Sequence, residues 1–407
     1  MEEIIDKAIS ELQLDKSKWK LTKFGDVAIQ QKQSVDRENT DLTRYVKGEH
    51  MGSEDLHLRQ WGELTDEYLG PAFIRRFDEG DILYGSRRTY LRKVVIAPFS
   101  GITSNTTFVA KANEEKIDKR LLPFIMMSEG FTENSIKNSK GSVNPYINWK
   151  DIAKYEFLLP PKDEQVQLTE LLWAMDGVIE KENNNLNKIV IAKNALFDST
   201  LYSPVEKRDS HFGKKESKFE VLKLGKILSE IQYGISESLS EIGTIPILRM
   251  NNLQDGKLDL KDLKYYNPKN GELDRFILKK GDVLFNRTNS FDLVGKVSIF
   301  NADGEYSFAS YLIRLKADDT KLDSRFLNFY LNTPIGLAKI RKYRTPGVSQ
   351  SNINAQNLKH IQIPLPDRKT QKDLMDKIES IEIGEIQSTL KISCSASLQK
   401  SLINQVF

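Results

Sequence analysis

Residues 158–202 read LLPPKDEQVQLTELLWAMDGVIEKENNNLNKIVIAKNALFDSTLY, with no proline after Pro161 and a single glycine. Pro160 and Pro161 hold the chain extended. The negative charges of Asp163 and Glu164 are stabilised by the exposed N–H groups at the start of a helix. Apolar residues then recur at spacings of three and four, which predicts one long helix that packs along a seam on a second helix. The seam residues are Leu168, Leu172, Met175, Ile179, Leu186, Ile189 and Leu196. The polar middle, EKENNNLNK, is expected to pack most loosely.

The same order of sequence elements occurs twice in the chain. The matching pairs are LTKFGDV at 21–27 with VLKLGKI at 221–227, EGDILYG at 79–85 with KGDVLFN at 280–286, KANEEKIDKRLLPFIM at 111–126 with KADDTKLDSRFLNFYL at 316–331, and INWKDIAKYEFLLPPKDEQ at 147–165 with INAQNLKHIQIPLPDRKTQ at 353–371. Their offsets of 200, 201, 205 and 206 rise slowly along the chain. This pattern indicates a duplication with a few insertions.

The second copy also ends in a long run without proline, residues 371–407, which supplies the partner helix. Its predicted seam is Leu374, Ile378, Ile381, Ile386, Leu390, Leu398 and Leu402, and Glu385 and Ser388 interrupt it. The predicted architecture is α+β: two globular domains, separated by two long antiparallel helices that form a coiled-coil spacer, in a pseudo-twofold repeat. Each domain contains short β-like runs and a helix, predicted at 118–128 in the first domain.

The predicted boundaries are a helix within residues 1–18, a first domain at 19–158, a central helix at 159–206, a linker at 207–218, a second domain at 219–364 and a C-terminal helix at 365–407. The helix predicted at 2–14 is short and amphipathic, so it must dock on something. It is either a displaced part of the helical region or an unrelated extension.

Composition narrows the classes of function. With 39% hydrophobic and 29% charged residues the chain is typical of a globular protein, and we expect a cytoplasmic location because no membrane span or secretory signal is evident. Its single cysteine and four histidines lack the spacing of a zinc site. No phosphate-binding or dinucleotide-binding glycine motif is present. We therefore expect no catalysis and no cofactor in this chain, and a net charge of +3 confines DNA binding to local clusters.

The repeated LPPKDEQ and LPDRKTQ helix starts, the repeated GDILY and GDVLF strands and the two half-chains together resemble a specificity subunit of a type I restriction-modification system. The second start lacks the glutamate of the first. The resemblance implies two target recognition domains, each reading half of a split double-stranded DNA sequence, and helices that set the spacing. It also implies partners: two methyltransferase subunits that bind S-adenosylmethionine, and restriction subunits that use ATP and magnesium. A stand-alone two-headed DNA-binding regulator, or a subunit of a related phage-defence enzyme, is the alternative.

Clusters of basic and amide side chains are the candidate DNA contacts, because arginine matches guanine and phosphate whereas asparagine matches adenine. Solvated polar loops are the alternative interpretation. The first-domain candidates are Arg75, Arg76, Arg87, Arg88, Tyr90, Arg92 and Lys93, with Lys137, Lys140, Ser142 and Asn144 in a second loop. The second-domain candidates are Arg287, Asn289 and Ser290, with Arg341, Lys342, Arg344, Ser349, Gln350 and Asn352 in the corresponding loop and a weaker group of Arg249, Asn251 and Asn252. Trp173 is either a core residue or an anchor for a partner subunit.

Overall fold

The computed structural model describes residues 14–37, 39–203, 216–269, 271–290, 293–346 and 351–407. The helix predicted at 2–14, most of the linker, and the candidates Ser349 and Gln350 lie outside these residues. The chain divides into two compact units. Unit 1 is Met1–Leu186 with Gln387–Phe407, and unit 2 is Asn187–Ile386. Each unit thus combines one sheet-containing domain with part of each long helix.

Unit 1 contains mostly antiparallel strands and a few short helices. In chain order they are β1 (Lys20–Lys23), α1 (Phe24–Val27), β2 (Ala28–Gln31), β3 (Arg44–Val46), β4 (Gly62–Glu63), β5 (Phe73–Phe77), β6 (Ile82–Gly85), β7 (Val94–Ile96), β8 (Gly101–Ser104), β9 (Thr107–Ala112), α2 (Leu122–Met127), α3 (Glu129–Lys137), α4 (Trp149–Ile152) and β10 (Glu156–Leu159). Two four-stranded sheets have the orders β2-β9-β6-β7 and β4-β3-β8-β5, and β1 pairs with β10. Strand β6 is buried on both faces at Ile82, Leu83 and Tyr84, as its continuous apolar sequence predicts.

The helix predicted at 118–128 begins later than expected, at Leu122, and a second helix that the sequence did not predict, α3, follows it at Glu129–Lys137. Ser128 adopts an extended backbone conformation that ends α2, and its hydroxyl accepts a hydrogen bond from the Phe131 N–H, so it caps the start of α3. The predicted helix thus ended at this cap and did not include α3.

Unit 2 repeats this plan. Its elements are β11 (Val221–Lys223), β12 (Leu228–Tyr233), β13 (Ile245–Leu248), β14 (Leu253–Gln254), β15 (Lys257–Leu258), β16 (Lys264–Tyr266), β17 (Val283–Asn286), β18 (Thr288–Asn289), β19 (Val297–Ile299), β20 (Ser307–Phe308), β21 (Leu312–Ala317), α6 (Ser324–Asn332), α7 (Pro334–Arg341), β22 (Thr345–Pro346), β23 (Ser351–Asn352), α8 (Ala355–His360) and β24 (Gln362–Pro364).

The strand orders of the two units correspond one to one over most of their length. The sheet β12-β21-β17-β19 matches β2-β9-β6-β7, the sheet β16-β13-β20 matches β4-β3-β8, and β11-β24 matches β1-β10. The parallel pairing between two named strands also recurs, with Tyr45 opposite Ile102 in unit 1 and Ile247 opposite Ser307 in unit 2. Among the described residues β5 has no counterpart in unit 2. The duplication predicted from sequence is therefore a duplication of topology.

The central helix (α5, Lys162–Leu201) and the C-terminal helix (α9, Arg368–Val406) each run for about ten turns and contribute to both units. In unit 1, Leu168 and Leu172 share a core with Leu402, Ile403 and Val406. Among the described residues, no helix is long and apolar enough to cross a membrane.

In unit 2, the last part of the central helix packs on the first part of the C-terminal helix. Phe197 and Leu201 share a core with Leu374 and Ile378. Nearer the middle of each helix, the Lys193 ammonium lies 2.7 Å from the Glu385 carboxylate and 3.6 Å from that of Glu382. Since later residues of one helix meet earlier residues of the other, the helices run antiparallel inside this unit.

The predicted seams are correct at their ends and wrong towards the middle. No residue between Asp176 and Phe197 is buried, and the predicted seam residues Ile179, Leu186, Ile189 and Leu196 are only half-buried, although loose packing was expected for the polar stretch 180–188 alone. Ile386 and Leu390 were predicted as seam residues but are half exposed, whereas Ser388 is buried. A helix turns by about 100° per residue, so Ser388 lies on the face opposite to its neighbours two positions away. Glu385, the other interruption, is accommodated by its ion pair with Lys193.

Candidate DNA interface

Two sequence candidates that are far apart in the chain meet in unit 1. The segment after β6 and the loop Lys140–Tyr146 are joined by backbone pairing of Arg87 and of Lys140 with Tyr146. The Arg88 N–H donates to the Pro145 carbonyl at 2.7 Å, and the Ile147 N–H donates to the Ser86 carbonyl at 2.9 Å. The candidates on these two segments therefore form one surface.

We call this surface the basic face, and it consists of exposed residues: Arg87, Arg88, Tyr90, Lys140, Ser142 and Asn144. The Arg88 Nε donates to the Asn144 Oδ1 at 2.9 Å, which connects the two segments through side chains. Within the described part of the chain, no carboxylate forms an ion pair with Arg87, Arg88 or Lys140. Cations without acidic neighbours are suited to binding phosphates. Lys137 is exposed at the end of α3, three residues before Lys140.

The backbone of the basic face has an unusual turn. Arg88 and Arg92 both adopt left-handed conformations, with φ of 50° and 47°, on either side of a short 3₁₀ turn at Thr89–Leu91. Left-handed backbone is uncommon for residues other than glycine, and such residues concentrate at functional sites. The turn leaves Tyr90 53% exposed.

Arg92 and Lys93 do not belong to the basic face, which corrects their assignment as DNA contacts. The Arg92 guanidinium is 13% exposed and pairs with Glu54 at 3.1 Å and with Glu129. Its hydrogen bond to Glu129 raises the pKa of Arg92 further above its ordinary value. The Lys93 ammonium donates to the Gly48 carbonyl. Both side chains therefore hold the segment in place rather than present charge.

Arg75 and Arg76 also lie elsewhere, on β5 of the other four-stranded sheet. The Arg76 Nε is 3.0 Å from the Asp78 carboxylate, and the Arg75 guanidinium donates to the Lys32 carbonyl. These partners reduce the charge that Arg76 offers to DNA, and nothing in unit 1 brings the two arginines onto the basic face.

Unit 2 has the same backbone arrangement with different side chains. Strands β18, β23 and β22 pair so that Asn352 lies opposite both Thr288 and Thr345. These residues follow Tyr146, Arg87 and Lys140 by 206, 201 and 205 positions, which are offsets of the sequence repeat. The Arg287 guanidinium lies 4.9 Å from the Tyr233 ring centroid and donates to the Asn352 Oδ1 at 3.5 Å. Arginine stacked on an aromatic ring is held in a fixed orientation.

The remaining unit 2 candidates lie close in sequence to the strands of this small sheet. Ser290 is exposed, and its N–H bonds to the Asn289 Oδ1 at 2.8 Å. Arg341 and Lys342 are exposed at the end of α7, whereas Arg344 is half-buried. Among the described residues of this unit, Arg341 and Lys342 form no ion pair.

In the weaker group Arg249, Asn251 and Asn252, the side chains bond within their own loop, and only Asn251 is exposed. Asn252 is 1% exposed, and its amide donates to the carbonyls of Asp259 at 2.8 Å and Asp262 at 2.9 Å. Arg249 pairs with the Asp262 carboxylate at 3.0 Å, and Asn251 donates to it at 2.8 Å. These side chains fix a loop of unit 2, so Asn252 cannot reach a base edge.

A family model of the type I restriction modification DNA specificity domain matches residues 16–190 and again residues 216–393. The two matches together cover most of the chain and coincide with its two copies of one topology. The chain belongs to the type I restriction-modification DNA specificity family. Its two specificity domains thus correspond to the duplicated halves of the sequence.

Several curated specificity subunits are similar to this chain. The chain is 23% identical to the MjaVIII specificity subunit of Methanocaldococcus jannaschii over 366 residues, which cover 84% of each chain. The putative MjaX specificity subunit of the same organism is 29% identical over 207 residues, 49% of this chain and 48% of that protein. The EcoKI specificity subunit of Escherichia coli K12 is 23% identical over 265 residues, 62% and 57% of the two chains.

Solved structures share the fold of this specificity chain. The S subunit of a type I restriction-modification system from M. genitalium aligns with a TM-score of 0.56 at 12% identity, covering 98% of both chains. A chain from a study of assembly and conformational transition of a type I R-M system aligns with a TM-score of 0.51 at 17% identity, covering 95% of this chain and 97% of that one.

The specificity domains are fixed to their helices by a pair of glutamines that the sequence analysis did not single out. Gln165, 1% exposed, accepts from the Asp118 N–H at 2.8 Å and donates to the carbonyls of Pro160 and Lys116 at 2.9 and 3.4 Å. Gln165 ends the LPPKDEQ motif and Gln371 ends the LPDRKTQ motif. This shared final glutamine is the sequence signal by which the pair could have been found.

Gln371, fully buried, makes the equivalent set in unit 2: it accepts from the Asp323 N–H at 2.8 Å and donates to the carbonyls of Pro366 and Lys321 at 2.7 and 2.8 Å. Glu164 of the first motif, which has no counterpart in the second, has a role within unit 1 alone. Glu164 accepts from the Trp19 indole N–H at 2.7 Å in unit 1, whereas Asp367 caps the helix start in unit 2 through the Thr370 N–H at 2.9 Å.

Ion pairs add a second attachment between each specificity domain and a long helix. In unit 1 the His57 Nε2 lies 2.9 Å from the Asp176 carboxylate, and Arg59 pairs with Glu180. In unit 2 the Lys257 ammonium lies 3.8 Å from the carboxylate of Glu382, which follows Asp176 by 206 positions.

Trp173 packs inside unit 1, which is the core role given as its alternative. Its ring meets that of Phe124 edge-on at 5.3 Å, and its indole N–H donates to the Arg120 carbonyl at 3.0 Å. Among the described residues, no group of three or more His, Cys, Asp or Glu side chains could hold a metal ion.

Proposed function

We propose that this chain is the non-catalytic DNA-recognition subunit of a type I restriction-modification complex. Each unit reads one half of a split double-stranded DNA target. The observation that carries the proposal is the repeated loop scaffold: Arg87 and Lys140 pair with Tyr146 as Thr288 and Thr345 pair with Asn352. The same backbone presents different side chains, as expected of two domains that read different bases.

The long helices would act as a spacer and a scaffold for two methyltransferase subunits. The central helix has 40 residues and is about 60 Å long at 1.5 Å per residue. That length corresponds to just under two turns of DNA, a distance suited to a spacer between two half-sites. S-adenosylmethionine would bind to the methyltransferase subunits, and ATP and magnesium to the restriction subunits.

Co-expression with the methyltransferase subunits of the same host, followed by selection of bound DNA from a random pool, tests the proposal. The expected result is a stable complex that selects two short defined half-sites separated by a fixed number of unspecified base pairs. Recovery of the chain without a methyltransferase, or selection of one continuous site, would contradict the proposal.

An insertion in the central helix tests its role as a ruler. Four added residues between Asn184 and Asn185 extend the helix by about one turn, in a stretch where no residue is buried. Because one turn is 5.4 Å long and a base pair 3.4 Å, we expect the unspecified spacer to grow by about one or two base pairs, with both half-sites unchanged. Four residues inserted into the exposed turn at 303–305 of unit 2, outside the candidate DNA contacts, serve as the control and should leave the spacing unchanged. Retention of the original spacing by the helix variant would exclude the ruler.

A further inference from the structure

The tip of the Lys140–Tyr146 loop carries an apolar side chain in an unusual place. Val143 is 84% exposed, between the exposed polar residues Ser142 and Asn144. Single exposed apolar residues are normal on protein surfaces. Here, however, the surrounding exposed side chains are those of the basic face, and Tyr146 in the same loop is itself 43% exposed.

The loop holds Val143 outward through hydrogen bonds on both arms. The Lys140 N–H donates to the Tyr146 carbonyl at 2.8 Å, and the Tyr146 N–H donates to the Lys140 carbonyl at 2.9 Å. Arg88 adds its backbone bond to Pro145 and its side-chain bond to Asn144. Gly141, with φ of 87°, supplies the left-handed residue that the turn requires. The loop is thus a narrow two-armed ribbon, a shape that the major groove of DNA admits.

We propose that Val143 reads the 5-methyl group of a thymine in the half-site of unit 1. This inference rests on the proposed function. The thymine methyl is the one apolar feature that the major groove presents, and apolar side chains recognise it. Arg87 and Lys140 are placed to contact phosphates on either side, while Ser142 and Asn144 can bond to neighbouring base edges. Val143 then adds a sequence preference that none of the charged residues provides.

Ile242 provides a matched control. It is also a β-branched residue that is 84% exposed, but it lies in unit 2 beside Glu241, which pairs with Lys264. An acidic neighbour disfavours approach to phosphates. Truncation of Ile242 to alanine therefore removes at least as much exposed apolar surface as truncation of Val143, without touching the basic face.

The experiment uses the full chain assembled with its methyltransferase subunits and a DNA target found by selection. Each thymine is replaced singly by uracil, which keeps the base pairing and removes only the methyl group. For the wild-type complex we expect one position, in one half-site, at which uracil lowers affinity about fourfold, the effect of burying one methyl group. With Val143→Ala the same replacement should change nothing, and with Ile242→Ala the wild-type profile should persist.

Three results would overturn the inference: no uracil-sensitive position in wild type, the same sensitivity in Val143→Ala, or half-sites without thymine. Val143→Thr, which keeps the shape and one methyl group, should retain part of the sensitivity and shows that the loop still folds. Wild-type binding without any sequence preference would instead refute the proposed function, so the two failures are distinguishable.

Discussion

The loop that ends at Tyr146 in unit 1 and the one that ends at Asn352 in unit 2 share their backbone pairing among the described residues but differ in the side chains at the paired positions. Unit 1 presents the free cations Arg87 and Lys140. At the corresponding positions unit 2 has Thr288 and Thr345, and its nearby arginine, Arg287, is stacked on Tyr233. Divergence is therefore concentrated on the surface, while the pairing that supports the surface is retained.

The contacts that attach each domain to the long helices are of two kinds: the glutamine hydrogen bonds are the same in both units, whereas the ion pairs differ. Gln165 and Gln371 make matching sets of three buried hydrogen bonds. The nearby ion pairs differ, with His57 on Asp176 in unit 1 and Lys257 on Glu382 in unit 2. A buried amide with three partners tolerates no substitute, whereas a half-exposed ion pair can be rebuilt from other residues.

Substitution of the two glutamines should have the largest effect. Gln165→Met and Gln371→Met keep the side-chain volume but leave buried N–H and C=O groups without partners, so each should lower the free energy of unfolding of its own unit by about 2–4 kcal/mol. All four tryptophans, Trp19, Trp61, Trp149 and Trp173, lie in unit 1. Urea unfolding followed by tryptophan fluorescence should therefore detect Gln165→Met, and far-ultraviolet circular dichroism should detect both.

The exposed Gln167 is the control for this comparison. Gln167→Met should leave both transitions in place. If Gln165→Met or Gln371→Met destabilises no more than this control, the buried amides do not secure the helix starts and the two units are not equivalent at this point.

The ion pairs should give a smaller, pH-dependent difference between the units. The hydrogen bond to Asp176 raises the pKa of His57, and Glu180 and Asp55 act in the same direction against the effect of burial. The stabilisation is complete below the ordinary histidine pKa of about 6.5 and is lost as pH rises through the higher folded-state value. Since His57 is partly exposed, we expect tryptophan-detected stability to fall by less than ~1 kcal/mol between pH 6 and pH 8.

His57→Gln should flatten this slope, because glutamine can keep a hydrogen bond to Asp176 but does not titrate. Lys257→Gln should not alter it, since Lys257 lies in unit 2 and all four tryptophans lie in unit 1. A slope that persists unchanged in His57→Gln would assign the pH dependence to other groups.

Much of the architecture was predictable from the repeat, because strands such as 82–85 and 283–286 are buried in both copies and retain their apolar sequence. The limits came from groups whose partners are distant in sequence. Arg92 looks like the other arginines of its cluster, and only the fold brings Glu54 and Glu129 to it. From sequence, Asn252 is likewise interpreted as a polar turn residue. Only the fold brings the Asp259 and Asp262 carbonyls to its amide. Towards the middle of the long helices, the heptad pattern does not predict which face turns inward at Ser388.

The central claim is that two copies of one scaffold read two different half-sites, and mapping of methylated adenines in the host genome tests it most directly. The map should be compared for cells that carry wild-type chain, no chain, and Arg88→Ala, which removes an exposed arginine of the basic face. We expect a split motif that disappears without the chain, and an Arg88→Ala motif relaxed in one half only, by about 1–3 kcal/mol at one base pair. A motif that survives deletion of the chain, or one that changes in both halves, would contradict the claim.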